Sequence, residues 1–522
     1  MTTLSDAADG SDTAERDCDP ATESAPGSDS GSSNRQWRSI WRMHFYAGMF
    51  AMPFILVMAV TGLVILYTQP IQDLTQSDLR SVEAPSASAT AVSLDDQAAA
   101  VEIAYPDGTV LDVTPPADEA RTTRFFVEDG SADGLWVFVD PYTAEVLGDA
   151  EPSGGIVAFS NRLHGHLNND SITVPLPAVA ALWDGGPVMR DYVLGDLVLE
   201  ILGVWTLVLV MSGLYLWFPR RSRVQSAVRR NWFIRRGVSG RARWRDLHGT
   251  GGVLMFAVMA LTIVSGLAWS TYWSEQFSSL ADTLTPGEYV DAPASSLGVR
   301  GDLDRLGNQI PWNTGDFPIP ASYAPPADAT MPAPLSLDDV AAIAATEGMK
   351  PGYTISFPSN SADEAGNPVY GAFTLYNSWP RKTGEARDVF LDQFSGETLA
   401  EQSVYGVGTI ARGMDYLVST HMGTQLGIVS RIFMTLLCVL SIWSIISGFV
   451  MFWKRRRPGS LGLPRRPVDV RLSKQLALCA CLLAVVFPQW AVTALVILGI
   501  DRFVIRRVGP LRSFFGQPAR SS

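Results

Sequence analysis

The chain has 522 residues, 40 Lys+Arg against 52 Asp+Glu, a formal net charge of −12 and 47% hydrophobic residues. Four uncharged apolar runs, Phe45–Tyr67, Gly249–Trp273, Ile432–Trp453 and Leu476–Ile500, have 23, 25, 22 and 25 residues, and Leu197–Phe218 is broken only by Glu200. A helix rises about 1.5 Å per residue and the hydrocarbon core is about 30 Å thick, so each run is long enough to span it, and a purely soluble protein is excluded.

Residues 1–34 are rich in Ser, Asp, Ala and Gly and lack a basic segment leading into an apolar core. They read as a disordered cytoplasmic tail, not a cleaved signal peptide. The first span is expected over 40–68, followed by a loop over 69–193 with five Arg and 20 Asp+Glu. The second span, 194–218, leads into a basic loop over 219–247 with ten Arg and one Asp. The third span is expected over 248–273, and the loop 274–425 holds seven Lys+Arg and 19 Asp+Glu. A fourth span, 426–453, precedes a basic segment, 454–475, with eight Lys+Arg and one Asp.

The positive-inside rule puts the N-terminus and both basic segments in the cytoplasm and both acidic loops outside. The run 476–500 breaks this pattern, because one crossing would leave Arg502, Arg506, Arg507 and Arg512 outside. Pro488 sits in its middle, where a proline bends a helix. A hairpin returning the tail 501–522 to the cytoplasm satisfies the charges, with a fifth full span as the alternative. The arginines of 219–247 read as topology-setting residues that touch anionic lipid, not as a nucleic-acid site. None of the four cysteines lies in the long loops, so no disulfide framework is expected.

The chain repeats itself. His44 is followed by Gly48 and then Thr61-Gly62, and His248 by Gly252 and then Ser265-Gly266. Spans two and four carry Ser212-Gly213 with Trp217 and Ser447-Gly448 with Trp453. These small residues would allow close helix approach. In the loops, Ser93-Leu94-Asp95-Asp96 and Ser336-Leu337-Asp338-Asp339 each open an Ala-rich helix, with serine as N-cap and acids in the first turn. Strand-like stretches follow in both copies. The fold class read from this is an α-helical membrane protein: a four-helix transmembrane bundle built from two parallel repeats. Each repeat carries a small α+β outer domain, at about 93–150 and 336–402, and a C-terminal apolar hairpin or fifth span is added.

The paired SLDD-helix-strand modules resemble PepSY domains. The spans with HxxxG…[ST]G and SGxxxW endings resemble the PepSY-associated transmembrane family of iron-regulated membrane proteins, over roughly 36–515. Trp41-Arg42-Met43-His44, Leu163-His164-Gly165-His166, Arg245-Asp246-Leu247-His248 and His421-Met422-Gly423 carry the likeness. The resemblance implies haem-binding ferric-siderophore reductases of the inner membrane. The alternative it leaves is a non-enzymatic protein whose PepSY pair senses or inhibits an external partner such as a peptidase.

All five histidines, His44, His164, His166, His248 and His421, lie at expected membrane boundaries. A low-spin haem b needs two neutral imidazoles from facing elements. With the resemblance, His44 and His248 are expected to ligate an inner haem iron, and His421 with His164 an outer one. His166 is the alternative to His164, and Met422 a further axial candidate. Arg42, Arg245, Arg162 and Arg412 stand near these histidines in sequence and are candidate propionate partners. Glu200 is a candidate for a proton or haem-linked role, or for a hydrogen bond to a neighbouring helix. No catalytic base or nucleophile is expected. No GxGxxG, P-loop or cysteine cluster is present, so electrons would come from a membrane quinol or a separate reductase. The acceptor would be a ferric siderophore or another ferric chelate.

Overall fold

The computed structural model describes residues 28–86, 89–131, 133–169, 171–218, 234–235, 237–287, 295, 297–303, 315, 317–326, 330–377, 382–456, 461 and 474–515. Most of the basic segments 219–247 and 454–475, and the tail up to residue 27, lie outside them. The chain is mainly helical, with some β-sheet. Among the described residues, five helices are long and apolar enough to cross a membrane: Gln36–Leu66, Leu194–Trp217, Gly240–Leu267, Ile428–Arg455 and Pro488–Ile505.

The first of these belongs to α1 (Ser28–Leu66). Residues 28–34, read from sequence as disordered tail, are therefore helical and lead into the span. Two short helices, α2 (Thr68–Thr75) and α3 (Ser77–Arg80), lead to α4 (Leu94–Ala104). Strands β1 (Thr109–Thr114), β2 (Thr123–Glu128), β3 (Leu135–Val139) and β4 (Val146–Ala150) follow, then α5 (Gly155–His166), a hairpin of β5 (Thr173–Pro177) and β6 (Met189–Val193), and α6 (Leu194–Trp217).

The second half runs through α7 (Gly240–Leu267), α8 (Thr271–Leu284) and α9 (Leu337–Thr346). The apolar run to Trp273 does not form one helix. It stops at Leu267, where Ser270 Oγ donates to Leu267 O at 2.7 Å, and restarts in α8 with Ser270 as its extended N-cap. After α9 come β7 (Tyr353–Ser356), the small pair β8 (Ser361–Ala362) and β9 (Pro368–Val369), then β10 (Ala372–Asn377), β11 (Arg387–Asp392) and β12 (Thr398–Ser403). The described chain closes with α10 (Thr409–His421), α11 (Ile428–Arg455), α12 (Lys474–Val486), α13 (Pro488–Ile500) and α14 (Gly509–Phe514).

Among the long helices, α1 packs against α6 and α11, and α7 packs against the same two. The short helix α5 lies on α1, and α10 lies on α7.

The two α+β modules, read from sequence as one small outer domain per repeat, share a sheet. Their strands form one antiparallel eight-stranded sheet in the order β12-β11-β10-β7-β1-β2-β3-β4. The seam is β1 against β7, with Asp112 opposite Ser356 and Val113 opposite Ile355. An isolated half-sheet would leave β1 or β7 as an open edge with unpaired backbone groups, and pairing them removes both. One apolar core serves both halves, with Val101, Val113, Phe125 and Val127 from the first and Val340, Ile355, Leu375 and Val389 from the second, all fully buried. Burying side chains of this size contributes roughly 1.5–3 kcal/mol each, which a divided core would forfeit along the seam.

The capping serines act as expected: Ser93 Oγ accepts from Asp96 N at 3.0 Å and Ser336 Oγ from Asp339 N at 3.1 Å. The neighbouring aspartates cross over. Asp95 accepts from Leu337 N at 3.0 Å and Asp338 N at 3.2 Å, and Asp338 accepts from Leu94 N at 3.0 Å. Each helix thus begins against a carboxylate of the other, which suits the positive end of both helix dipoles.

The last apolar run bends at Phe487-Pro488, between α12 and α13. Its bend sits beside Glu200, and Trp205 in α6 donates from Nε1 to Thr493 Oγ1 at 3.1 Å. Further along, Phe515 O accepts from Arg42 Nη2 at 2.9 Å and Leu461 N donates to Phe514 O at 3.3 Å. The chain after α13 therefore comes back to the end of α1 that carries Arg42 and His44.

Candidate metal-cofactor site

Four of the five histidines meet in two pairs. The rings of His44 (α1) and His248 (α7) have centroids 6.4 Å apart and planes 79° apart. Those of His164 (α5) and His421 (α10) are 6.3 Å and 74° apart. Thr61, which touches His164, lies 17 residues beyond His44 on α1, or about 25 Å along the helix. One pair therefore sits near the sheet and the other toward the far end of the long helices.

Each imidazole rests in the same kind of cradle on a neighbouring helix. His44 Nδ1 is 3.0 Å from both Leu209 O and Ser212 Oγ, and His248 Nδ1 is 3.2 Å from Ser444 O and 3.1 Å from Ser447 Oγ. His164 Nδ1 lies 2.8 Å from Thr61 Oγ1, and His421 Nδ1 lies 3.0 Å from Ser265 Oγ. In every case the hydroxyl donates back to its own helix: Ser212 to Leu209 O, Ser447 to Ser444 O, Thr61 to Val57 O and Ser265 to Thr262 O. With its hydrogen committed, each oxygen can only accept, so Nδ1 carries the proton and donates. The tautomer is set, and Nε2 keeps its lone pair.

The glycine after each hydroxyl makes room for the ring. A Cβ at Gly213 would lie 3.0 Å from His44 Cε1, at Gly448 3.6 Å from His248 Cε1, at Gly62 3.4 Å from His164 Cε1 and at Gly266 3.3 Å from His421 Cε1. Burial lowers His164 and His421, which lie outside the long spans, to about 4, so both stay neutral at ordinary pH.

These residues fit a bis-imidazole metal. A metal–nitrogen bond of about 2.0 Å plus about 1.1 Å from Nε2 to the ring centre, taken on both sides, would place the centroids about 6.2 Å apart, close to both observed separations. Among the described residues no cluster of three or more His, Cys, Asp or Glu is arranged to hold a bare metal ion. The two imidazole pairs would instead suit a metal carried in a macrocycle that brings its remaining nitrogens.

The other sequence candidates lie elsewhere. His166 Nδ1 is 2.6 Å from Asp196 Oδ1, so it is His164 and not His166 that the fold brings against His421. Arg42 is buried and bonds Tyr46 Oη and Phe515 O, both at 2.9 Å. Arg245 is exposed and pairs with Asp246 at 3.1 Å. Arg162 donates to Ser153 O at 2.7 Å, and Arg412 lies over the Tyr405 ring at 5.9 Å. Met422 caps α10 and packs against the cluster of Ala268, Met414 and Val418.

Glu200, fully buried, accepts from Trp273 N at 2.8 Å and from Gln489 Nε2. It joins α6 to the start of α8 and to the C-terminal bend, and none of these bonds reaches a paired histidine. Ser212, Ser447, Thr61 and Ser265 are the site residues that sequence reading assigned only to close packing. Their recurrence before a glycine at matched places in the two copies was the available signal.

No curated protein matches the chain. A family model described as the PepSY-associated TM region matches residues 41–455, a segment holding every span that bears or cradles a histidine pair. The chain therefore belongs to the PepSY-associated transmembrane family.

Proposed function

We propose that the protein is a transmembrane oxidoreductase with two haems b, passing electrons through the membrane to ferric iron held in a siderophore or similar chelate, in iron acquisition. The observation that carries this reading is the matching geometry of two imidazole pairs, each with Nδ1 tied to a hydroxyl and a 6.3–6.4 Å ring separation. A haem held by each pair supplies reversible one-electron chemistry, and two at different depths make a path across the bilayer. His44 and His248 would hold the inner group, and His164 and His421 the outer one.

Fixing Nδ1–H against a hydroxyl raises ligand basicity and holds each ring in place before metal arrives. The two parallel copies would be related by a pseudo-two-fold axis along the membrane normal, with four spans forming a bundle around both sites. The Arg-rich segments support an N-terminus in the cytoplasm and a fused sheet outside the inner membrane. The return of Phe515 to Arg42 supports the hairpin over a fifth crossing. A membrane quinol or a separate reductase would donate, and reduction would release the more weakly bound ferrous ion from the chelate.

Full-length protein in liposomes, given a quinol in the membrane and a ferric chelate outside, tests the assignment through capture of ferrous iron. Reduction is expected with wild type and is expected to fail with His44→Ala or His248→Ala. Haem-loaded protein that reduces no ferric chelate with a quinol or a chemical donor would overturn the reductase assignment and leave a haem-sensing role.

A further inference from the structure

The two histidine pairs are suspended differently. His44 and His248 sit on the long helices α1 and α7, whereas His164 and His421 end short helices that hang from the sheet. Strands β4 and β12 are the two edges of that sheet. The chain passes from β4, ending at Ala150, into α5 at Gly155, and from β12, ending at Ser403, into α10 at Thr409. Seven inter-strand gaps put the edges about 34 Å apart. Helices of 12 and 13 residues reach about 18 and 20 Å. Their C-terminal rings nevertheless finish 6.3 Å apart. The pair is thus carried at the tips of two arms that start from opposite edges and rest against α1 and α7.

What fixes the edges relative to each other is the seam. Besides the two register pairs of β1 and β7, it holds Ser356 Oγ donating to Asp112 Oδ1 at 2.5 Å and the Thr114 and Thr354 hydroxyls 2.9 Å apart. On the helical face, the crossed bonds of Asp95 and Asp338 lock α4 against α9. A rotation of about 5° between the halves would move an arm tip about 20 Å away by roughly 2 Å, against the about 0.5 Å that a ligand constellation tolerates.

We propose that Asp95 and Asp338 are positioning residues for the sheet-side pair: by crossing the seam they hold the two half-sheets at the angle that sets the spacing of His164 and His421. This rests on the haem reading above. The far pair, carried on the long helices, is outside their reach. The outer sheet is then the frame of the outer cofactor as well as a surface facing the chelate.

The test is a redox titration of the full-length protein, followed by visible absorption and by electron paramagnetic resonance. His164→Ala and His44→Ala assign which signal belongs to which pair. In the double variant D95A/D338A, the signal assigned to His164 is expected to broaden and change midpoint potential, while the signal assigned to His44 stays. The pair D95N/D338N, which keeps one acceptor oxygen at each position, is expected to restore most of the wild-type behaviour. Unchanged potentials in the double alanine variant, or equal shifts at both sites, overturn the proposal and leave the haem reading standing. A wild-type protein without haem overturns both. If the double variant does not accumulate, D95A alone, which keeps the bond from Leu94 N to Asp338, gives the same comparison.

Discussion

Thr61 Oγ1 lies 2.8 Å from His164 Nδ1, and its own hydrogen goes 2.8 Å to Val57 O. A hydroxyl already donating to its helix can only accept from the imidazole, so this one threonine sets which nitrogen of His164 is free for a metal. Ser265 does the same for His421, and the serines of the far pair repeat the arrangement.

Thr61→Val keeps the shape of the side chain and removes the acceptor. The ring then loses its hydroxyl partner, and affinity for the cofactor at the sheet-side pair is expected to fall by roughly 10–100-fold. Haem titration of the purified variant measures this, with Thr61→Ser expected to bind like wild type.

Two glycines of the repeated motifs are predicted to behave oppositely. An added methyl at Gly213 would press on His44 Cε1 at 3.0 Å, whereas one at Gly252 meets nothing within 4 Å. Gly213→Ala is expected to displace the ring and weaken the far site. Gly252→Ala is expected to leave it intact, although Gly252 belongs to the more conspicuous HxxxG pattern. Comparing visible spectra of the two variants after haem loading decides the point.

Glu200 is expected to matter for assembly more than for the cofactor. Glu200→Ala strips the acceptor from Trp273 N and Gln489 Nε2 in a buried setting, a loss of about 2–3 kcal/mol. Thermal unfolding in detergent should register this, with the haem spectrum of the folded fraction unchanged. A spectrum altered at full stability would instead give Glu200 a haem-linked role.

Much of this was legible in sequence and some was not. The apolar runs, the SLDD caps and the histidine positions are local patterns, and their spacing carried the reading. The choice of His164 over His166 depends on Asp196, which lies 30 residues on and reaches His166 only through packing. Fusion of the two sheets depends on β1 meeting β7 across about 240 residues, and an open strand edge looks the same in sequence whatever later covers it. The hydroxyl-glycine pairs were visible as small residues, but their role needs the partner helix in place.

Outside the spans, Asp73 links α2 to the sheet through Arg121, at 2.6 and 2.9 Å. The Arg121 bonds hold its carboxyl below the usual range. Its contribution to stability is thus present above the unfolded carboxylate pKa of about 3.9 and is lost as pH falls through the lower folded value. Asp73→Asn should lower the melting temperature at neutral pH by a small amount, since both side chains are about a third exposed and the pair is worth at most about 1 kcal/mol. The gap to wild type should close as pH drops below that range.

Whether four imidazoles hold two haems is tested most directly by the reduced-minus-oxidised visible spectrum of full-length protein expressed with ample haem. The expected result is a reducible bis-imidazole spectrum at two haems per chain, falling to one with His44→Ala and to one with His164→Ala, and unchanged with His166→Ala. A colourless wild-type protein, or a spectrum that survives both His44→Ala and His164→Ala together, would contradict it.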